Sequence, residues 1–295
     1  MKYIILGKSG YIGSAFAELL ATRKFLGGAD YVGLSRSMVD YTDYDELDVW
    51  LDLTTQGKPA TIINCAGYIG KPNVDACESN KTATIKGNVT FPAMIAQLCR
   101  EKNIRLAHIS SGCIYSGYDK KYTEDCPSDF DFQNGSFYSG TKDLAETLVK
   151  QINPDAHIFR LRIPFDSINN PRNYITKILS YNKLLDAENS LSHRGDFVRY
   201  CLDLLCKAPA GVYNVTNPGS LTTREVVDML EFWFRKKFNQ LGKEFHFFES
   251  TRAFSEITSA PRSNCVLATE KTQKFIKMRP VKDAMNDAIS NYIIK

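Results

Sequence analysis

The fold is decided by the stretch Lys2-Tyr3-Ile4-Ile5-Leu6-Gly7-Lys8-Ser9-Gly10-Tyr11-Ile12-Gly13. Its apolar first half predicts a buried strand, and the following residues predict a helix with one apolar face: Ile12, Phe16, Leu19 and Leu20. A strand that runs through Gly-x-x-Gly-x-x-Gly into a helix is typical of dinucleotide binding. Glycines permit the tight turn, and the helix N-terminus holds the pyrophosphate. The predicted cofactor-binding residues of this glycine turn are Gly7, Gly10, Tyr11, Ile12 and Gly13.

Strand and helix patterns alternate after the glycine turn. Further strands are predicted at 31–34, 39–40, 61–67, 105–110 and 157–162. This alternation predicts the α/β class, with a Rossmann-type doubly wound parallel sheet. Beyond Pro164 the alternation loosens, and 211–215 is predicted to return one strand to the sheet. We therefore predict an NADP(H)-binding domain at 1–165, with a return around 194–217, and a smaller C-terminal substrate-binding lobe at 166–193 and 218–295.

The form of the cofactor is predicted from the end of the second strand, Ser35-Arg36. A site that prefers NAD usually has an acidic residue here for the ribose 2′-hydroxyl, whereas a hydroxyl and a cation suit a 2′-phosphate. NADPH is therefore predicted, with NADH as a weaker substitute; the alternative is that Arg36 is a solvated surface charge. The exit of the 61–67 strand and the helix after it add further predicted cofactor residues: Asn64, Ala66, Gly67 and Asn88.

Two short motifs carry the predicted chemistry: Ser110-Ser111-Gly112-Cys113 and Tyr138-Ser139-Gly140-Thr141-Lys142. Tyr138 and Lys142 are four residues apart and share one face of a helix, so the ammonium is expected to lower the pKa of the phenol. Ser111 ends a predicted strand and adds a hydroxyl aimed at the same substrate oxygen. These three groups can together give a proton to a carbonyl or take one from an alcohol.

The composition excludes several other classes of protein. With 43% hydrophobic and 24% charged residues, the chain of 295 residues is typical of a globular protein, and its scattered net charge of +4 gives no indication of nucleic acid. The first apolar run is too short for a signal peptide and no later run spans a membrane, so a cytoplasmic location is expected. The eight cysteines lack paired Cys-x-x-Cys spacing, so reduced thiols are expected and no metal is predicted.

With the glycine turn, Ser111, Tyr138 and Lys142 in order, the chain resembles the extended short-chain dehydrogenase/reductase superfamily over its whole length. Five blocks are similar to the bifunctional nucleotide-sugar 3,5-epimerase/4-reductases that make UDP-L-rhamnose in plants and giant viruses: GKPNVDACES (70–79), GCI (112–114), GSFYSGTK (135–142), NPRNYITK (170–177) and APRSN (260–264). The resemblance implies that UDP-4-keto-6-deoxy-D-glucose is converted to UDP-β-L-rhamnose with NADPH as reductant. Gly140 departs from the family, which tends to carry Lys there, but no catalytic group is lost.

The resemblance also implies which residues act on the sugar. Cys113, two residues beyond Ser111, stands where related dehydratases carry a glutamate, and a thiol with a pKa of about 8.5 can move a proton near neutral pH. Lys177 is its implied partner on the substrate lobe. The implied substrate-binding residues are Lys71, Asn73, Asn173 and Arg262. As alternatives, Arg262 fixes the lobe, and Lys71, Asn73 and Asn88 make structural hydrogen bonds.

Other functions stay open at this point. The chain could be a reductase alone, similar to dTDP-4-dehydrorhamnose reductase, although Cys113 and Lys177 argue against this. It could be a non-catalytic NADP-binding regulatory subunit, although the Tyr138/Lys142 pair is retained. A 4,6-dehydratase is disfavoured because Gly112-Cys113 stands where those enzymes need Asp-Glu. The pattern does not distinguish a UDP from a dTDP carrier, and a homodimer is expected only by similarity.

Overall fold

The computed structural model describes residues 2–25, 28–129, 132 and 135–294. Its strands are β1 (Lys2–Leu6), β2 (Asp30–Leu34), β3 (Ala60–Asn64), β4 (Arg105–Ser111), β5 (Gly117–Tyr122), β6 (His157–Leu161), β7 (Pro164–Phe165), β8 (Glu188–Asn189), β9 (Ser192–His193), β10 (Gly211–Asn214), β11 (Leu221–Thr222) and β12 (Cys265–Leu267). Its helices are α1 (Tyr11–Phe25), α2 (Tyr44–Thr55), α3 (Ala76–Ser79), α4 (Lys81–Ile85), α5 (Phe91–Glu101), α6 (Phe137–Ile152), α7 (Tyr174–Ser180), α8 (Arg194–Lys207), α9 (Thr223–Leu241), α10 (Thr251–Ser255), α11 (Glu270–Gln273) and α12 (Val281–Ser290). A π-helical turn at Lys86–Thr90 joins α4 to α5, and a 3-10 turn at Gly112–Ile114 follows β4.

The central sheet formed by the described residues has six parallel strands in the order β2-β1-β3-β4-β6-β10. Leu6 of β1 pairs with Leu34 of β2 and with Asn64 of β3, so these three strands end level. The chain order reverses at β1, because β2 lies on one side of it and β3 on the other. A reversal of this kind leaves a crevice outside the carboxyl ends of the strands, where ligands bind. The predicted class and the doubly wound parallel sheet are confirmed.

Helices cover both faces of the sheet because successive strand residues point to opposite sides. On one face, Ile4 and Leu6 pack in an apolar layer with α2 and α5; on the other, Tyr3 and Ile5 pack with α1 and α8. Parallel strands buried on both faces are near-continuous apolar runs. This is why Ile4-Ile5-Leu6 shows no alternation of apolar and polar residues.

A further apolar cluster lies beyond the sheet and joins α7, α9 and α12. Its buried side chains include Ile175, Ile178, Val226, Leu230, Met285 and Ile289. A capping box begins α9: the hydroxyl of Thr222 accepts from the Glu225 N–H at 3.0 Å, and the Glu225 carboxylate accepts from the Thr222 N–H at 2.8 Å. These helices make up much of the predicted substrate lobe, whose boundaries stay a prediction.

The predicted strand at 39–40 is wrong. The N–H of Val39 donates to the carbonyl of Ser35 at 3.3 Å, and the N–H of Tyr41 donates to the carbonyl of Val39 at 2.8 Å. These turn bonds use the backbone groups that a sheet ladder would need. Val39 and Tyr41 are nevertheless buried in the apolar layer with α2 and α5. The apolar residues in this part of the sequence therefore indicate burial in the core and not a strand.

The segment 265–278, which the prediction assigns to the substrate lobe, also packs beside the central sheet. β12 pairs in parallel with β5, and the N–H of Ala268 donates to the carbonyl of Tyr122 at 2.9 Å. Ile276 and Met278 pack in the layer that contains α1 and α8. This segment therefore packs on the sheet side of the molecule before α12 joins the further cluster.

Within the described ranges, no helix combines the length and the apolarity that crossing a bilayer requires. The same ranges hold no group of three or more His, Cys, Asp or Glu side chains placed to bind a metal ion. Every cysteine lies in these ranges, and each is a free thiol.

A buried ion pair connects α6 to the sheet. Glu146 on α6 accepts from the Arg160 guanidinium of β6 at 2.8 and 3.1 Å, and both side chains are 3% exposed. Ser110 of β4 donates to the same carboxylate at 2.5 Å, and Arg160 donates to the hydroxyl of Tyr115 at 2.8 Å. The helix that carries Tyr138 and Lys142 is therefore fixed to β4 and β6 by charge as well as by packing.

We expect Glu146→Gln to lower the free energy of unfolding by about 3–5 kcal/mol, because it leaves the Arg160 charge buried without its partner. Urea denaturation measures the change. The matched control is Glu256→Gln, which breaks the exposed pair with Arg252 (3.7 Å) and should leave stability unchanged. Equal losses in both variants would show that the buried pair does not fix α6.

Candidate active site

The glycine turn packs closely at the carboxyl ends of β1 and β3. Gly7 has φ +77°, and the N–H of Gly10 donates to its carbonyl at 3.0 Å. A Cβ at Gly7 would lie 3.0 Å from Cα of Ala66, and a Cβ at Gly13 only 2.1 Å from the Gly7 carbonyl oxygen. The structure thus brings together four predicted cofactor residues, which are Gly7, Gly10, Gly13 and Ala66. It also directs the N-terminus of α1 toward the crevice. This cradle fits the pyrophosphate of a dinucleotide.

The side chains of Tyr11 and Ile12 point away from that cradle. The Arg194 guanidinium lies over the Tyr11 ring at 5.1 Å from its centroid, and Arg194 Nε donates to the Tyr11 carbonyl at 2.6 Å. Ile12 packs against the apolar layer that contains α1 and α8. Both residues therefore hold the first turn of α1 in place, and only their backbone faces the predicted cofactor.

Asn64 and Asn88 are structural residues in this fold. The Asn64 side chain accepts from the Ala66 N–H at 3.1 Å and lies 3.3 Å from His108 Nδ1. Asn88 accepts from the N–H of Tyr68 at 2.7 Å and donates to its carbonyl at 2.8 Å. Both amides are buried and hold the backbone around Gly67, and their contact with the cofactor stays a prediction.

The end of β2 has the polarity that the sequence predicted. Arg36 is exposed, and the hydroxyl of Ser35 lies 2.9 Å from that of Ser37. The structure adds Lys8, because its side chain lies across β2: a Cβ at Gly33 would be 2.7 Å from Lys8 Cδ. The sequence signal for Lys8 was its place in the glycine turn. The aliphatic part of Lys8 therefore lies against β2, and the exposed Arg36 at the end of this strand suits a 2′-phosphate.

The predicted proton-transfer groups converge where β4 ends against α6. Ser136 caps α6 by accepting from the Ser139 N–H at 3.1 Å, so the helix starts at Phe137, one residue before Tyr138. The hydroxyl of Ser111 accepts from the Cys113 N–H at 3.2 Å, and its hydrogen bond to the phenol lowers the pKa of Tyr138. Lys142 is buried and donates to the Ile109 carbonyl at 3.2 Å.

One electrostatic prediction is wrong. Burial raises the pKa of Tyr138 well above its usual value, and charge on Cys113 raises it further. The Ser111 hydrogen bond and the Arg172 charge lower this pKa without cancelling the effect of burial. The expected net lowering of this pKa by a neighbouring cation is not found, because burial has the larger effect. Burial also lowers the pKa of Lys142.

Cys113 lies in the 3-10 turn that follows β4. Its side chain is partly exposed, whereas Cys77, Cys99, Cys201 and Cys265 are buried. Charge on this sulfur raises the pKa of Tyr138 and of Lys142, so the three groups lie within electrostatic reach of one another. The structure therefore places the predicted thiol with Ser111, Tyr138 and Lys142 rather than in the apolar interior.

Lys177, on α7, belongs to a group of cations with Arg172 and Arg262. Burial lowers the pKa of Lys177, and the Arg172 and Arg262 guanidinium groups lower it further. Arg262 makes two bonds of 2.7 Å to the carboxylate of Asp75 and a third of 2.7 Å to the Ala260 carbonyl. Of the two predicted roles of Arg262, these bonds support that of fixing the lobe.

The other predicted substrate-binding residues, Asn173, Asn73 and Lys71, differ from one another in burial and in hydrogen bonding. Asn173 is fully buried; it caps α7 through the Ile175 N–H at 3.0 Å and donates to the Asp166 carbonyl at 2.7 Å. Its amide has partners within the chain, and the prediction that it binds substrate stays a prediction. Asn73 closes a turn by accepting from the Asp75 N–H at 2.8 Å. Lys71 is exposed at the same loop.

Two arginines at the site escaped the sequence analysis. Arg172 acts on both Tyr138 and Lys177; its signal was present, because it lies within the block that contains Lys177. Arg194 donates to the Tyr11 carbonyl and, at 3.3 Å, to Asp166. No motif around Arg194 could have predicted its role, because its partner Tyr11 is far away in the sequence.

The sheet, the glycine turn and the Ser111–Tyr138–Lys142 group define the scaffold of a Rossmann-type oxidoreductase. Residues 1–293 match the RmlD substrate binding domain family, and the chain belongs to this family. A bifunctional dTDP-4-dehydrorhamnose 3,5-epimerase/dTDP-4-dehydrorhamnose reductase of Arabidopsis thaliana is 32% identical over 96% of this chain and 90% of that protein. The resemblance inferred from the five blocks is thereby confirmed.

Two further matches refine the comparison. A trifunctional UDP-glucose 4,6-dehydratase/UDP-4-keto-6-deoxy-D-glucose 3,5-epimerase/UDP-4-keto-L-rhamnose-reductase of Arabidopsis thaliana is 32% identical over 97% of this chain. The chain spans only 41% of the length of that relative. The crystal structure of the UDP-rhamnose synthase of Acanthamoeba polyphaga mimivirus aligns with a TM-score of 0.85 at 25% identity and covers 99% of both chains.

We expect Gly13→Ala to weaken NADPH binding at least tenfold, because its Cβ would collide with the Gly7 carbonyl oxygen and open the turn (~1.4 kcal/mol per factor of ten). Fluorescence titration of NADPH measures the affinity. Gly10→Ala is the graded comparison: its Cβ would meet the same oxygen at 3.2 Å, so its loss should be smaller. A larger loss for Gly10→Ala would contradict this account of the turn.

Proposed function

We propose that this chain reduces a 4-keto nucleotide sugar with NADPH and also epimerises it, converting UDP-4-keto-6-deoxy-D-glucose to UDP-β-L-rhamnose. The family and the Ser111–Tyr138–Lys142 group support the reductase part. The epimerase part depends on one observation, the partly exposed thiol of Cys113 within reach of Tyr138 and Lys142. The names of the trifunctional plant relative and of the mimivirus synthase support UDP as the carrier.

The C4 carbonyl oxygen links the two reactions. Hydrogens on C3 and C5 are acidic because both carbons are α to this carbonyl, and removing either proton leaves negative charge on the C4 oxygen. Ser111 and Tyr138 are hydrogen-bonded to one another, so two hydroxyl donors stand together to stabilise that charge. The raised pKa of Tyr138 keeps the phenol protonated at neutral pH, which is the form that donates a hydrogen bond.

Reduction requires a proton on the same oxygen. NADPH, when bound, supplies the hydride for C4. Tyr138 gives its proton to the C4 oxygen, because it is the acidic hydroxyl of the pair. The Lys142 ammonium, held by the Ile109 carbonyl, then stabilises the phenolate.

Epimerisation requires one group to remove a proton from one face of the ring and another to return a proton to the opposite face. Cys113 stands at the exit of β4, whereas Lys177 stands on α7, so the two groups come from different parts of the fold. The lowered pKa of Lys177 enlarges the fraction of neutral amine that can accept a proton. We assign Cys113 and Lys177 as this acid/base pair.

We expect Cys113→Ala to reduce solvent deuterium exchange at C3 and C5 by at least about 100-fold, because general acid–base groups contribute factors of this size. NADPH oxidation should continue when the ketone is supplied already epimerised. NMR of UDP-4-keto-6-deoxyglucose in deuterated water measures the exchange, and absorbance follows NADPH.

The matched control is Cys126→Ala, which removes another partly exposed thiol from the loop after β5 and should keep both activities. Exchange that is unchanged in Cys113→Ala would refute the assignment of Cys113 as an acid/base group. Wild-type protein that shows no exchange would leave reduction as the whole activity, as in a reductase that receives epimerised substrate. Tight NADPH binding without turnover of any 4-keto nucleotide sugar would instead support the non-catalytic subunit.

We expect Arg36→Ala to lower kcat/KM for NADPH about tenfold while leaving the value for NADH unchanged, since only NADPH carries the 2′-phosphate (a loss of ~1.4 kcal/mol). Steady-state kinetics with both cofactors measure the ratio. Arg36→Lys is the control and should retain most of the preference. An equal loss with both cofactors would show that Arg36 does not contact the 2′-phosphate.

A further inference from the structure

The first backbone N–H of α6 is bound by a carboxylate from a distant part of the chain. Phe137 is the first residue of this helix, and its N–H donates to the side chain of Glu78 at 2.8 Å. The first N–H groups of a helix have no partner within it, and a negative charge is favourable at this end. Glu78 therefore satisfies the backbone donor that immediately precedes Tyr138.

The side chain of Phe137 is contacted from the same part of the chain. Lys81, the first residue of α4, places its ammonium 5.3 Å from the centroid of the Phe137 ring. Glu78 and Lys81 lie on either side of the junction between α3 and α4. The segment 78–81 thus contacts both the backbone and the ring of the residue next to Tyr138.

The short helix that carries Glu78 is anchored at its start. Asp75, immediately before α3, makes two bonds of 2.7 Å with the Arg262 guanidinium and accepts from the Ala260 N–H at 3.0 Å. A bidentate pair fixes orientation as well as distance. Cys77, within α3, is fully buried. Because so short a helix has little stability of its own, these contacts determine where Glu78 lies.

We propose that Glu78 is a positioning residue for Tyr138: its carboxylate, carried by the anchored α3, fixes the first turn of α6 so that the phenol meets the C4 oxygen of the sugar. This inference rests on the proposed function, in which Tyr138 gives its proton to that oxygen. No bond forms or breaks at Glu78 during the reaction. Its effect is geometric, and a displacement of about 1 Å at a catalytic group can lower the rate ~100-fold.

The test removes this hydrogen bond from each side. Phe137→Pro deletes the donor, and proline is well accommodated at the first position of a helix, all the more because Ser136 before it is extended (ψ 145°). Phe137→Ala keeps the N–H and loses only the ring. We expect kcat for the reduction of UDP-4-keto-L-rhamnose to be at least about tenfold lower in Phe137→Pro than in Phe137→Ala, with the Kd of NADPH equal in both. Absorbance measures kcat, and fluorescence titration measures the Kd.

The acceptor is tested by a second pair of variants. Glu78→Leu should lower kcat about as much as Phe137→Pro does, whereas Glu78→Gln keeps an oxygen acceptor and should retain most of the activity. The double variant Glu78→Leu/Phe137→Pro should lose no more than either single variant, because both remove the same bond.

The matched control is Glu225→Leu. The Glu225 carboxylate also accepts a backbone N–H at the start of a helix, that of Thr222 at 2.8 Å, but α9 carries no group of the proposed mechanism. Glu225→Leu should therefore lower the urea midpoint of unfolding while keeping kcat.

The outcomes separate this inference from the proposed function. Wild-type protein that does not reduce the ketone would refute the reductase itself. An unchanged kcat in Glu78→Leu, additive losses in the double variant, or an equal fall in kcat in Glu225→Leu would each overturn only the inference. Should Glu78→Leu not fold, the comparison of Phe137→Pro with Phe137→Ala decides alone, and equal kcat values in those two variants would overturn the role of Glu78.

Discussion

The close contact between the glycine turn and the end of β3 is the constraint on which the rest of the structure depends. Because Gly7 packs against Ala66 and Gly13 against the Gly7 carbonyl, α1 starts immediately beyond β1 and directs its N-terminus into the crevice. The parallel register then delivers β3 and β4 to the same edge, so that Ser111 ends beside the cradle. One steric condition on the backbone thus places the cofactor cradle and the proton-transfer group at one edge of the sheet.

Burial decides the chemistry of the site more strongly than charge pairing does. Tyr138 and Lys142 share a helix face, as Tyr-x-x-x-Lys predicts, but desolvation shifts both groups toward their neutral forms. The buried Glu146–Arg160 pair lies behind them and fixes α6 to the sheet. A protonated phenol hydrogen-bonded to Ser111 suits the proposed chemistry, because the C4 oxygen needs a hydrogen-bond or proton donor in both the epimerisation and the reduction.

Arg194 links the cofactor side of the crevice to the helix that carries Lys177. It holds the first turn of α1 through the Tyr11 carbonyl and reaches Asp166, whose carboxylate accepts from Asn173 at 3.0 Å, and Asn173 caps α7. These bonds are buried or nearly so, and they connect positions far apart in sequence. This network of hydrogen bonds therefore connects α7, which carries the proposed acid/base group Lys177, to the first turn of α1.

The sequence by itself determined the α/β class, the glycine turn, and the grouping of Ser111, Cys113 and Tyr138, because each depends on local spacing or on the shared edge of a parallel sheet. Only the tertiary structure showed the internal hydrogen bonds of Asn88 and Asn173, since the partners of an amide come from other parts of the chain. It also decided the direction of the pKa shift of Tyr138 and the positions of Arg172 and Arg194. Burial and long-range contacts depend on how the whole chain packs, and neither is encoded in the spacing of neighbouring residues.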